Sequence, residues 1–206
     1  MDLVLNNISK RFAFQTILSN IDVTFSKGST TGISGRNGSG KSTLLKIVSG
    51  HMSPSVGNIT YSIDNQPIPE DAVYKHLVFS APYIDLPPYF SINELLTHYR
   101  KFKNVKIKDT QEFIDYCELP QVKDKHIGFF SSGMKQKVSI ALALNTQTSL
   151  LMLDEPTSYF DQEAKIWFYN KLSEIQNTTT IIASNEKEDF KTASRILELK
   201  DKYLIT

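Results

Sequence analysis

The stretch TTGISGRNGSGKSTLLKIVSGHM, Thr30 to Met52, narrows what this chain can fold into more than any other. It opens as a short apolar strand, passes through a glycine-rich loop and continues with apolar residues at helical spacing, so it reads as strand, loop, helix. Within it Gly35, Gly40, Lys41 and Ser42 fill the pattern G-x-x-x-x-G-K-[ST], with Arg36, Asn37, Gly38 and Ser39 between and Thr43 after. Glycines let the backbone curl so that successive N–H groups converge on phosphate oxygens, and the N-terminus of the following helix adds positive potential. Lys41 then reaches the terminal phosphates, and the Ser42 hydroxyl is a ligand for Mg²⁺. A chance match in a glycine-containing turn is the alternative, and the flanking strand and helix speak against it because they are the context the pattern requires.

A second stretch, SLLMLDEP, supplies the complementary chemistry. Four apolar residues, Leu150 to Leu153, drive a strand into the core and deliver Asp154 and Glu155 at its C-terminal edge. Asp154 is placed to hold Mg²⁺ through its water shell, and Glu155 to orient or deprotonate an attacking water. Phosphoryl transfer needs positioning and charge neutralisation more than covalent chemistry, so one lysine, one metal and one water-directing carboxylate form a sufficient set. Paired carboxylates at a strand end are otherwise often a solvated turn, which the phosphate loop upstream disfavours.

The 206 residues suit a single domain, and the balance of 23 Lys and Arg against 22 Asp and Glu gives no electrostatic footprint for nucleic acid. One cysteine, Cys117, excludes an intrachain disulfide, and the four histidines are too dispersed for a metal site. No apolar run approaches the roughly 18 residues of a membrane span, and the start MDLVLNNISKRF lacks the pattern of a signal peptide, so a cytoplasmic location is expected. Alternating residues in LVLNNI and ILSNIDVTF predict antiparallel strands at the N-terminus. Ser91 with Glu94, and Asp109 with Glu112, are helix start signals, so the segment from about Ser91 to Asn145 is expected to be mainly helical. NQPIPEDA reads as a surface connection, and Asp161 as the cap of the helix that follows it.

Between the phosphate loop and the acidic strand lies FFSSGMKQK, and with it the chain resembles the nucleotide-binding subunits of ATP-binding cassette (ABC) transporters over nearly its whole length. SSGMKQK is similar to the family signature S-G-G-[QM]-x-Q-[RK], with Ser132 replacing the first glycine. Phe12 falls where the family stacks an aromatic on adenine, and SYFD, ending in Asp161, resembles the D-loop. Each fragment alone has a plainer reading, Phe12 as core and Ser131, Ser132 and Gly133 as a helix cap.

The resemblance implies an α/β fold, a P-loop NTPase with an ABC-type core sheet, an N-terminal antiparallel β subdomain and an inserted helical subdomain. It implies core and β lobe at about 1–83 and 146–206, with the helical lobe at about 84–145. Further implications are ATP and Mg²⁺ as ligands and a head-to-tail homodimer or heterodimer in which Ser131, Ser132 and Gly133 contact ATP held by the other subunit. ATP-dependent closure would energise a separate transmembrane permease subunit, placing the chain peripherally on the inner face of the membrane, with no nucleic acid expected.

Two positions depart from the family pattern. The loop that carries a glutamine in the family reads APYIDLPPYF here, with Tyr83, or else Pro82, at the glutamine's place; a rigid turn or a partner surface is an alternative role for it. The family's switch histidine is replaced by Asn185, whose amide can donate one hydrogen bond to a γ-phosphate but cannot relay a proton. An ordinary turn residue is the alternative reading of Asn185. Slow or partner-dependent hydrolysis is the expectation. Alternatives are a soluble ABC ATPase with a scaffold-type partner and a weakly hydrolysing nucleotide-gated subunit.

Overall fold

The computed structural model describes residues 1–122 and 125–205. Contacts divide them into two units: residues 1–79 with 148–155 and everything from Ile175 onward, and residues 80–147 with 156–174.

The first unit holds two sheets. In one, β1 (Asp2–Phe12) lies between β2 (Gln15–Phe25) and β4 (Val56–Ile63), antiparallel to both, with β5 (Gln66–Ile68) at the edge. The alternation that predicts these strands buries Leu3, Leu5, Leu18, Ile21 and Phe25 on one face. The other sheet runs β10 (Tyr203–Ile205), β9 (Arg195–Lys200), β3 (Thr30–Ser34), β8 (Thr179–Ser184), β7 (Leu150–Asp154), β6 (Leu77–Ser80). β3 pairs in parallel with β8 and β9, and β7 in parallel with β8. All five residues of β7 and all six of β8 are buried, as interior strands of a covered parallel sheet require. Helix α1 (Lys41–Val48) contacts β7 and β8, and its Leu44 and Leu45 join Ile33, Met152 and Ile181 in the core. Each such fully buried side chain contributes roughly 1.5–3 kcal/mol.

NQPIPEDA is structured, against the expectation of a plain surface connection. Asp64 and Asn65 take φ of 50° and 64°, a left-handed pair that closes a two-residue hairpin between β4 and β5. Pro67 has no N–H to donate, which an edge strand tolerates. A 3₁₀ turn over Glu70–Lys75 follows.

The second unit is helical. In α2 (Ile92–Tyr99) the capping box forms: Ser91 N–H donates to Glu94 Oε2 at 2.8 Å, and Glu94 N–H donates to Ser91 Oγ at 3.3 Å. Asp109 likewise caps α3 (Thr110–Tyr116) by accepting from Glu112 N–H at 2.9 Å. α4 spans Ser132–Asn145 and α5 Gln162–Ser173. The expected lobe boundaries leave α5 with the core, whereas its contacts group it with the helices. The reason is its aromatic face: Trp167 Nε1–H donates to Tyr116 O at 2.8 Å, and its ring meets Tyr116 and Phe160 edge-on.

Candidate functional site

β3 ends at Ser34 and releases the loop that enters α1 at Gly40. Gly40 has φ 107°, a backbone conformation that demands glycine, and a Cβ there would press on Ile17 Cγ2 and Leu18 Cδ2, each 3.0 Å away. Gly40 offers α1 no side-chain cap, and the first N–H groups of a helix have no acceptor within it. They face a cavity of about 400 Å³ lined by Phe12, Ile17, residues 37–43 and Glu155. The arrangement is an anion site of the kind helix N-termini provide.

Phe12 is 45% exposed, so it is not a core residue; Lys10 Nζ stands 5.1 Å from its ring centroid. Lys41, 5% exposed, donates to Gly35 O at 2.8 Å and pairs with Glu155 Oε1 at 3.0 Å. The Glu155 carboxylate thereby occupies the ammonium that a phosphate would claim. Asp154 is 1% exposed at the end of β7, opposite Ala183. Glu155 next to it has φ 44°, in the left-handed region, and donates its N–H to Ala183 O at 2.7 Å. A non-glycine residue there stores about 1–2 kcal/mol, a cost found preferentially at functional positions.

Asn185 follows β8 and is more than an isolated turn residue. Its Nδ2 donates to Asn37 Oδ1 of the phosphate loop at 3.3 Å, and its N–H approaches Glu155 Oε2 at 3.4 Å. The first unit thus brings together Phe12, Gly35, Arg36, Asn37, Gly38, Ser39, Lys41, Ser42, Thr43, Asp154, Glu155 and Asn185.

Two residues of this site escape sequence reasoning. Ser184 Oγ donates to Asp189 Oδ2 at 2.6 Å, accepts from Glu186 N–H at 3.0 Å and lies 3.4 Å from Glu155 Oε2. Ser184 is fully buried and Asp189 is 1% exposed. In the sequence Asp189 sits in the charged run NEKED, which reads as solvated; the one available signal is a serine at the end of an otherwise apolar strand.

The remaining candidates belong to the second unit. Ser131 is the N-cap of α4, its Oγ accepting from Met134 N–H at 3.2 Å. Ser132 begins the helix, and a Cβ on Gly133 would come within 2.9 Å of Tyr159 O, so that position admits only glycine. Further along the signature, buried Gln136 donates to Pro156 O at 3.1 Å, and Lys137 pairs with Glu118 at 3.2 Å with its Nζ 4.8 Å over the Trp167 ring. These two are structural positions. Asp161 caps α5 by accepting from Ala164 N–H at 2.9 Å. Tyr83 follows Pro82 in a turn closed by Ile84 N–H to Ala81 O at 3.0 Å, and is 46% exposed.

Among the described residues no group of three or more His, Cys, Asp or Glu could hold a metal by itself, and no helix is long and apolar enough to cross a membrane. Ser42 and Asp154 nevertheless fit Mg²⁺, being hard oxygen donors of the kind it takes alongside substrate phosphates.

The family model described as ABC transporter matches residues 18–158. The chain is 32% identical over 195 residues to the ABC transporter ATP-binding protein YybJ of Bacillus subtilis (strain 168), covering 89% of this chain and 85% of that protein. It is 30% identical over 174 residues to the cytochrome c biogenesis ATP-binding export protein CcmA of Brucella abortus (strain 2308), covering 84% and 80% respectively. The dimeric structure of MJ0796, a bacterial ABC transporter cassette, superposes with a TM-score of 0.81 at 23% identity, over 98% of this chain and 96% of that one. The chain therefore belongs to the ABC transporter family, as one of its ATP-binding proteins.

Proposed function

We infer that the chain binds ATP with Mg²⁺ and hydrolyses it to drive a separate membrane-spanning permease. The observation that carries this reading is the Lys41–Glu155 pair at 3.0 Å, set at the mouth of a glycine loop and helix N-terminus inside a cavity that also holds an exposed aromatic ring. Phe12 takes the adenine face, the loop N–H groups and Lys41 take the phosphates, and Glu155, once released by Lys41, directs the attacking water. Ser42 and Asp154 would hold Mg²⁺, which supplies neutralisation of phosphate charge when bound. Asn185, already in contact with Asn37, is placed to hold the γ-phosphate end of the loop. Ser131, Ser132 and Gly133 are assigned to the ATP of a second subunit, and Asp161 to the D-loop; the dimeric cassette of the same fold supports this pairing. Tyr83 is assigned to the surface that meets the permease, which places the chain on the inner face of the membrane through that partner.

A weakly hydrolysing, nucleotide-gated subunit is the second reading, favoured by an amide at Asn185 where proton relay calls for imidazole. Calorimetric ATP titration and phosphate-release assays on the purified chain, with and without its membrane partner, decide between them. Saturable ATP binding that Lys41→Ala abolishes is expected, with turnover that rises on adding the partner. Turnover at the rate of an efficient ATPase without a partner would refute partner dependence, and binding unaffected by Lys41→Ala would refute the site.

A further inference from the structure

Between α2 and α3 the chain reads RKFKNVKIK: five cations, Arg100, Lys101, Lys103, Lys106 and Lys108, with no acid among them, in a protein whose overall charge is only +1. The segment folds into a bent connection that borders an open hollow of about 450 Å³, lined by Arg100, Lys101, Lys103 and Lys108 with Phe102 beside them. Phe102 is 71% exposed and its ring lies 5.3 Å from that of His98.

Arg100 is the informative residue. Its Nε and Nη2 are both buried, and neither has a hydrogen-bond partner. These two nitrogens form the side-on fork of a guanidinium, whose parallel N–H groups match two oxygens of one carboxylate or phosphate. Leaving a charged donor pair buried and unmet costs free energy, and in native proteins such groups mark an ion or water that belongs there. A simpler role, neutralising the carbonyls at the end of α2, is already filled by backbone. Arg100 N–H donates to Leu96 O, Lys101 N–H to His98 O, and Phe102 and Lys103 N–H both to Tyr99 O, at 3.0–3.1 Å. Burial also pulls the Lys103 ammonium below its ordinary pKa, a penalty that a neighbouring anion would relieve.

We propose that this hollow is an anion site that takes a phosphate group, with Arg100 as its bidentate anchor and Lys101, Lys103 and Lys108 as flanking charges. Three or more cations around one fork suit a phosphate dianion better than a singly charged carboxylate. The phosphate comes either from a free phosphorylated compound or from a phospholipid headgroup, and the two sources are separable.

The test uses inorganic phosphate, titrated calorimetrically into the full chain carrying Lys41→Ala so that the nucleotide loop does not contribute. Saturable binding is expected, weakened about tenfold or more when Arg100→Gln is added, which corresponds to the roughly 1.4 kcal/mol of a tenfold change in affinity. Arg100→Lys, which keeps the charge and loses the fork, should fall between, with an unchanged thermal midpoint excluding misfolding. Absence of saturable binding, or equal affinity in the Arg100→Gln protein, would overturn the proposal. Sedimentation with phosphatidylcholine vesicles containing phosphatidylglycerol identifies the source: association that inorganic phosphate displaces and Arg100→Gln abolishes assigns the site to a lipid headgroup. Phosphate binding without vesicle association assigns it to a free compound. Vesicle association that survives Arg100→Gln reflects surface charge alone and counts against the pocket.

Discussion

Replacing Glu155 by glutamine should strengthen ATP binding while stopping hydrolysis. The Glu155 carboxylate holds Lys41 at 3.0 Å, so on the proposed function ATP must break that pair before its terminal phosphates reach the ammonium. Lys41 is 5% exposed and Glu155 side chain 24%, which makes this a partly desolvated charge-assisted bond. Such a bond is worth about 1.5–3 kcal/mol, and the lower end applies because solvent reaches the carboxylate side. Glutamine keeps the shape and removes the charge, so ATP affinity should rise about tenfold, the equivalent of 1.4 kcal/mol. Turnover should fall by about 10²–10⁴, the usual worth of a general base. Titrating ATP into both proteins by calorimetry and following phosphate release on the same samples measures the two effects together. An unchanged or weaker affinity in the Glu155→Gln protein would refute the view that the carboxylate competes with phosphate for Lys41. Normal hydrolysis would remove Glu155 from the water-directing role.

Asn185→His should raise turnover by about tenfold or more if a proton-relaying ring is what the site lacks, and unchanged phosphate release would return Asn185 to the role of a turn residue. Ser184→Ala should lower kcat on the order of tenfold to a hundredfold with little change in ATP affinity, because Ser184 Oγ tethers the Glu155 and Asn185 segments to buried Asp189 without touching the phosphate loop; Ser184→Thr should restore it. Equal loss of affinity and turnover in Ser184→Ala would point to local collapse instead. Gly40→Ala, at φ 107° and crowding Ile17 and Leu18, should cost about 1–2 kcal/mol and lower the thermal midpoint by about 2–4 °C per kcal/mol, read by calorimetric melting.

What was legible in the sequence is what depends on neighbours within one turn or one strand. The glycine loop between β3 and α1, the caps at Ser91, Asp109 and Asp161, and the apolar runs of β7 and β8 are all local chemistry written in residue type and spacing. The hairpin at Asp64 and Asn65 is also local, but the prolines of NQPIPEDA mask a turn signal only two residues long. Tertiary structure alone decided which residues meet. Parallel strands end on the same edge of a sheet, so β3, β7 and β8 bring Lys41, Glu155 and Asn185 together although Asn37 and Asn185 stand 148 positions apart. Burial was likewise a property of the fold: Asp189, in a run that reads as solvated, is enclosed and bonded to Ser184, while Arg100, in a run that reads as exposed charge, has both nitrogens of its side-on fork buried. Spacing along a chain specifies which groups a strand or helix presents; only packing specifies what surrounds them, and it is the surroundings that set the strength of a charge or a hydrogen bond.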